Sequence, residues 1–339
     1  MSNQSTDTSV AETALKRAPA SRGHIHPHHQ SFSFARVFAI ASNTLLELVR
    51  LKVFYFLLIF ALVLIGSSAF MINFTFQEQF QVLKDSSLGA MSIFTWLLAV
   101  LATAMLLPKD IEDRTLYTIL AKPVPRFEYL LGKLLGVLGL LFISTVVMTG
   151  LFFTVLYARQ ELEIAKVVQE SAAMAKGMEA AAETATEAVT GTVASVSEQT
   201  AAAVKAIKDS TFSWSLGPAI VAIYLKAALF AALTLLISTF ASSWIFTIVT
   251  SVAIYFIGTI QPIAREYWLA NNAGTPLAKA FLALVALLFP DLQLFNLVDD
   301  IVAGNTISNI LFLKTASLGV VYVTVYLFLA YFIFSKKEL

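Results

Sequence analysis

The stretch DIEDRTLYTILAKPVPRFEYLLGK, residues 110–133, is a charged passage broken by prolines and set between two strongly apolar segments. Asp110, Glu112 and Asp113 crowd its start, where carboxylates favour the positive end of a helix dipole. Ile111, Leu116, Ile119 and Leu120 share much of one helical face, with Arg114, Thr118 and the acids on the other. Lys122 precedes Pro123 and Pro125 follows, so the helix stops near Ala121. The spacing predicts a helix over 110–121 of about ten residues, roughly 15 Å long by helical rise. That is too short to cross a bilayer, so it sits at the surface, with Pro108 ending the segment before it and Arg126 and Lys133 flanking the one after.

Around this connector the chain is a membrane protein. Only 13% of its residues are charged, about half the share of a soluble domain. Mean hydropathy is +0.77, and several runs approach the ~20 apolar residues that span a hydrocarbon core. A net charge of +1 gives no reason to expect a nucleic-acid partner. The absence of cysteine excludes disulfides, thiolate metal sites and cysteine nucleophiles.

Residues 1–31 read as a polar, disordered tail without the apolar core of a signal peptide. FARVFAIASNTLLELVRLK (34–52) is amphipathic and reads as an interfacial helix. The first span is expected over 53–72, an aqueous loop over 73–87, and the second span over 88–107. The third span is expected over 128–157, completing a first membrane unit over 32–157. Residues 158–214 are rich in Ala, Glu, Thr and Lys, and no aromatic residue lies between Tyr157 and Phe212. Val189, Val193, Val196, Val204 and Ile207 fall near a 3-4 spacing, which gives either a helical hairpin or an Ala-rich linker. TGT at 190–192 is the expected break between its helices. The second membrane unit, 215–339, holds spans over 217–240, 244–261 and 311–334. Between the last two, 276–304 contains an apolar run too short to cross, read as re-entrant or interfacial.

Arg36, Arg50, Lys52, Lys109, Arg114, Lys122, Arg126, Lys133, Lys336 and Lys337 fall on the side of the connector, whereas the loop after the first span holds Lys84 alone. The positive-inside rule therefore makes both termini and the connector cytoplasmic, and puts the 158–214 insertion outside.

The connector resembles the first cytoplasmic loop of type-2 ABC transporter permeases, in the order EDRTLYTILAKPVPR then YLLGK. STFASSW between spans four and five and LFPDLQLFN in the outer segment also resemble that family. Many relatives carry Gly before the Thr, where this chain has Arg114. The resemblance implies an all-α membrane protein with six transmembrane helices, an N-terminal interfacial helix, a short cytoplasmic coupling helix and an extracytoplasmic helical insertion. It implies that the connector docks on a separate ABC ATPase subunit through Asp110, Glu112, Asp113, Arg114, Thr115, Leu116, Tyr117 and Leu120. Pro123, Pro125, Arg126, Gly132 and Lys133 would shape the loop. It also implies pairing with a second copy or a homologous permease, as an exporter in a bacterial cytoplasmic membrane.

The chain has no G-x-x-x-x-G-K-[ST] motif, so ATP and Mg would belong to the partner ATPase. No HExxH or nucleophile elbow is present, and no catalytic or metal site is expected. His24, His26, His28 and His29 form the tail's HIHPHH run, readable as a metal-binding cluster or as an incidental feature of a flexible tail. Asp291, Asp299 and Asp300 are expected as solvated carboxylates. Lys226 lies well inside the fourth span, with no acid expected in a neighbouring span core. It either faces a substrate cavity or snorkels to the interface. A scaffold that binds an extracytoplasmic partner through 158–214 is the rival reading. A secondary transporter would show inverted repeats or intramembrane acids, and neither is evident.

Overall fold

The computed structural model describes residues 32–68, 76–112, 125–181, 186–212, 216–241, 243–270, 277, 291–298 and 308–336. Within these, side chains are described outside 76–78, 111–112, 178–181, 186–195 and 263–270. The elements are helices α1 (Phe34–Val49), α2 (Lys52–Ser67), α3 (Phe76–Glu112), α4 (Arg126–Ala181), α5 (Thr186–Thr211), α6 (Leu216–Phe240) and α7 (Trp244–Ala270). A 3-10 turn (Leu292–Phe295) and helix α8 (Asn309–Lys336) complete them. Among the described residues, five helical stretches are long and apolar enough to cross a membrane, or six if the bent α1–α2 pair counts as one.

α6 organises the bundle. Ala222, Ala227, Ala228, Ala231 and Ala232 are all buried on it, beside Leu229, Phe230 and Leu233. A helix apolar all round belongs at the centre of a bundle, and its small side chains let neighbouring backbones approach closely. α3, α4, α7 and α8 pack around it. The outward faces of α7 and α8 carry exposed Phe246, Val249, Phe256, Ile260, Val321, Phe328 and Phe332, a surface suited to hydrocarbon.

α1 and α2 meet at an angle of 67°. Leu51 is extended there (φ −69°, ψ 128°), so the helical ladder is interrupted at one residue. α1 buries Val37, Thr44 and Leu48 against the bundle and leaves Phe34 and Phe38 exposed.

Three expected boundaries move. Residues 76–87, expected within an aqueous loop, are the first turns of α3. Phe80, Leu83, Ser87 and Met91 continue the buried face of the span at helical spacing, and the polar residues between them hide that period in composition. Pro108 does not end its helix but lies inside it. The proline ring removes one backbone bond, and helices packed among other helices tolerate that loss. TGT at 190–192 is no break, because α5 runs through it; residues 182–185, between α4 and α5, lie outside the described residues.

α4 has 56 residues, roughly 84 Å by helical rise against ~30 Å of hydrocarbon core. Its second half therefore projects beyond any single crossing, and α5 returns along it. The ring of Phe212 stacks on Phe153 at 6.2 Å, and Ile207 is buried. Lys84 of α3, itself 6% exposed, donates to the Ser210 carbonyl at 2.6 Å and holds the end of α5 to the bundle. Most of the 276–304 segment lies outside the described residues. Its 3-10 turn is capped by Asp291, whose carboxylate accepts from the Gln293 amide at 3.1 Å. Phe295 seats over Gly319 of α8, where a Cβ would stand 3.0 Å from the ring.

Candidate functional site

The connector leaves the bundle from the end of α3 and rejoins it at the start of α4. Both roots are tied into one charged cluster. Asp110, near the end of α3, accepts from Lys133 Nζ at 2.8 Å and from the Tyr129 hydroxyl. Tyr129 and Lys133 stand one turn apart on α4, and the ammonium lies 5.8 Å from the tyrosine ring centre. Glu47 of α1 receives Lys109 at 2.7 Å and Lys133 at 3.8 Å. The cluster pairs two acids with two lysines. The side chains of Asp110 and Lys133 are only 11% and 6% exposed, so their charges are compensated within the cluster rather than by water. Three helices are thereby fixed to one another at the base of the connector.

The start of α4 is held on two further sides. Glu128 is fully buried and receives Arg36 in a bidentate contact, Nε at 2.6 Å and Nη2 at 2.8 Å. Its Oε1 also accepts the Ser33 amide at 2.9 Å. Planar guanidinium and carboxylate match in this arrangement, which fixes angle as well as distance. On the other side, Arg126 donates to the carbonyls of Phe334 and Ser335 at 3.0 and 2.7 Å, closing the C-terminal turn of α8.

Between these contacts α1 lies directly on a glycine seam. A Cβ on Gly132 would stand 2.7 Å from Ile40 Cβ, and one on Gly136 would stand 2.6 Å from Thr44 Cβ. One on Gly139 would meet Leu45 at 3.6 Å, so the approach opens toward the C-terminal end of the seam. The G-x-x-x-G spacing of 132–136 is what lets the backbones come this close.

Asp110 was expected to face an ATPase; the structure engages its carboxylate inside the bundle. Gly132 and Lys133, expected to shape the loop, lie within α4 and act through packing and ion pairing. Pro125 precedes α4, and its carbonyl accepts the Tyr129 amide at 3.2 Å. Glu112 is the last residue of α3. Its side chain, and all of Asp113, Arg114, Thr115, Leu116, Tyr117, Leu120 and Pro123, lie outside the described residues, as do His24–His29. Tyr129, Glu128 and Gly136 were not singled out from sequence, and Arg36 and Glu47 were read only as charges on the amphipathic 34–52 segment. Only the glycine spacing carried a readable signal.

Lys226 lies on a pocket of about 210 Å³ near the end of the bundle opposite the connector. Its ammonium is 5.6 Å from the Tyr255 ring centre, and Tyr255 in turn packs on Trp96 with centroids 4.2 Å apart. No acid was expected in a span core neighbouring Lys226; Asp85, an exposed residue in the first turns of α3, lines the same pocket. It was assigned to a loop, whereas α3 is helical there and carries it to the pocket wall. Ser92, Thr259, Gln293 and Asn296 add polar lining. Among the described residues, no group of three or more His, Cys, Asp or Glu side chains could hold a metal ion.

A helical bundle with five or six candidate crossings among the described residues and an apolar exterior is that of a multi-pass membrane protein. The chain belongs to the family described as ABC-2 family transporter protein, whose model matches residues 38–339. Membership makes it an ABC transporter permease subunit and implies association with an ABC ATPase subunit. No curated protein matches the chain.

Proposed function

We propose that the chain is the permease subunit of an ATP-binding-cassette exporter in a bacterial cytoplasmic membrane, with both termini cytoplasmic. It pairs with a second copy or a homologous permease and docks a separate ATPase through the connector. ATP and Mg belong to that ATPase, and this chain supplies the path and the joint. The observation that carries the reading is the clamp of Asp110, Lys133, Tyr129 and Glu47, which binds both roots of the connector to α1. A displacement applied to a connector with two fixed roots passes to α3 and α4 as rigid bodies. Asp110 belongs to this clamp, so docking falls to Glu112, Asp113, Arg114, Thr115, Leu116, Tyr117 and Leu120, with the apolar members as anchors. Pro123, Pro125 and Arg126 set the path of the chain back into α4.

The test is affinity purification from detergent, with mass spectrometry of what accompanies the wild type and Leu116→Asp. An ATPase subunit present with wild type and lost with the variant is the expected result. Its absence from folded wild type would overturn the coupling reading and favour a scaffold that works through α4 and α5.

A further inference from the structure

We infer that the pocket containing Lys226 and Asp85 is a binding site for a small zwitterionic group, a primary ammonium joined to a phosphate or carboxylate. Two opposite charges, from α6 and α3, line one cavity of about 210 Å³. That is below the roughly 300–1,000 Å³ of sites for drug-sized ligands, and it suits a head group. A purely anionic or purely cationic ligand would meet one like charge on the wall, whereas a zwitterion meets an opposite charge at each end. Lys226 supplies donors to the anionic end. The Asp85 carboxylate and the amide oxygens of Gln293 and Asn296 supply acceptors to the ammonium.

The cation is a primary one on chemical grounds. Tyr255 is the only aromatic side chain on the described wall, and its ring already engages Lys226 and Trp96. A quaternary ammonium calls for an aromatic cage, which this wall lacks. A primary ammonium calls for oxygen acceptors, and Asp85, Gln293 and Asn296 on this wall carry them. The pocket borders lipid-facing surface: Ile93 on its wall is 56% exposed, and Phe256 and Ile260, each next to a lining residue on α7, are 58% exposed. The same head-group chemistry could arrive on a phospholipid or as a free solute. The site stands independently of ATPase docking, and its test reads binding rather than transport.

The test is native mass spectrometry of the purified full-length chain titrated with dihexanoyl phosphatidylethanolamine or dihexanoyl phosphatidylglycerol. Free phosphoethanolamine is added as competitor. Wild type is expected to retain the zwitterionic lipid over the anionic one. Lys226→Met and Asp85→Asn are each expected to weaken retention about tenfold, the loss of one charged contact. Gly89→Leu supplies a variant that keeps both charges. Gly89 lines the pocket, and a Cβ there meets nothing within 4 Å, so the leucine fills the cavity without a clash at its root. Its melting temperature is expected to stay near wild type while retention falls. Displacement by phosphoethanolamine supports the site with a soluble ligand; displacement by the phospholipid alone supports it with a lipid. Equal retention of both head groups, or retention unchanged in Gly89→Leu and in both charge variants, overturns the inference.

Discussion

Replacing Gly136 with alanine places a methyl 2.6 Å from Thr44 Cβ and 2.9 Å from the Ala41 carbonyl oxygen. Carbon atoms prefer about 3.5–4.0 Å, so α1 and α4 must part by roughly 1 Å. Neither obstacle is the far end of a flexible side chain: one is a Cβ and the other is backbone, and Thr44 is fully buried. Overpacking of this kind costs about 1–3 kcal/mol, which lowers the melting temperature by about 2–5 °C in a chain of this size. The same movement stretches the contact between Lys133 and Glu47, already 3.8 Å long. Gly150→Ala on the same helix is the control, because a Cβ there meets nothing within 4 Å, and it should leave melting unchanged or slightly raised by the better helix propensity of alanine. Thr44→Gly, added to Gly136→Ala, removes the facing Cβ and should restore part of the loss. Melting followed by tryptophan fluorescence in detergent reads all four proteins. If Gly136→Ala melted with Gly150→Ala, the close approach of the two backbones would be refuted.

Removing one member of the buried Asp110–Lys133 pair should cost about 3 kcal/mol, since it strands the other charge. A thermodynamic cycle of Asp110→Asn, Lys133→Met and their combination should give a double variant that loses clearly less than the sum of the singles, and additive losses would show that the two do not interact. Glu128→Gln should be milder than Arg36→Gln, because the first removes a buried charge and the second abandons it; the order is read from melting, and the reverse order would argue against the bidentate contact. Lys84→Met deletes the hydrogen bond to Ser210 and should raise amide exchange over the last turns of α5 while leaving α8 unaffected.

What the sequence made legible follows from how each feature is encoded. Spans that are apolar on all sides announce themselves by composition. The fourth, expected over 217–240, is helix Leu216–Phe240, and the sixth, expected over 311–334, is Asn309–Lys336. The first turns of α3 were missed because their buried face is only one residue in three or four wide, under a polar majority. That miss propagated, because an acid assigned to a loop could not be set against Lys226. Pro108 misled for a related reason: a rule drawn from isolated helices ends the helix there, whereas packing holds it together. The charged joint was half legible. Asp110 and Lys133 were singled out for their charge, but whether a carboxylate faces a partner or a lysine two turns into the next helix is a matter of direction. Direction is set by the glycine seam and by Tyr129, and neither carries charge.

The geometry gives α3 a particular place in this molecule. One end carries Asp110 in the joint, and the other carries Lys84 and Asp85 as consecutive residues. Lys84 grips the end of α5, while Asp85 lines the pocket that Lys226 shares. These ends are roughly 38 Å apart by helical rise, with a continuous backbone ladder between them except at Pro108. Consecutive residues on a helix point about 100° apart, so one turn of the rod can serve two neighbours at once. An axial shift or rotation of α3 as a rigid rod would carry Asp110, the Lys84 contact with α5 and the Asp85 part of the pocket wall together. A bundle of five or six crossings needs no such arrangement merely to fold, since α6 already supplies its core. The arrangement has a use if events at the connector must be felt at the far end, which is the requirement placed on a permease driven by a separate ATPase.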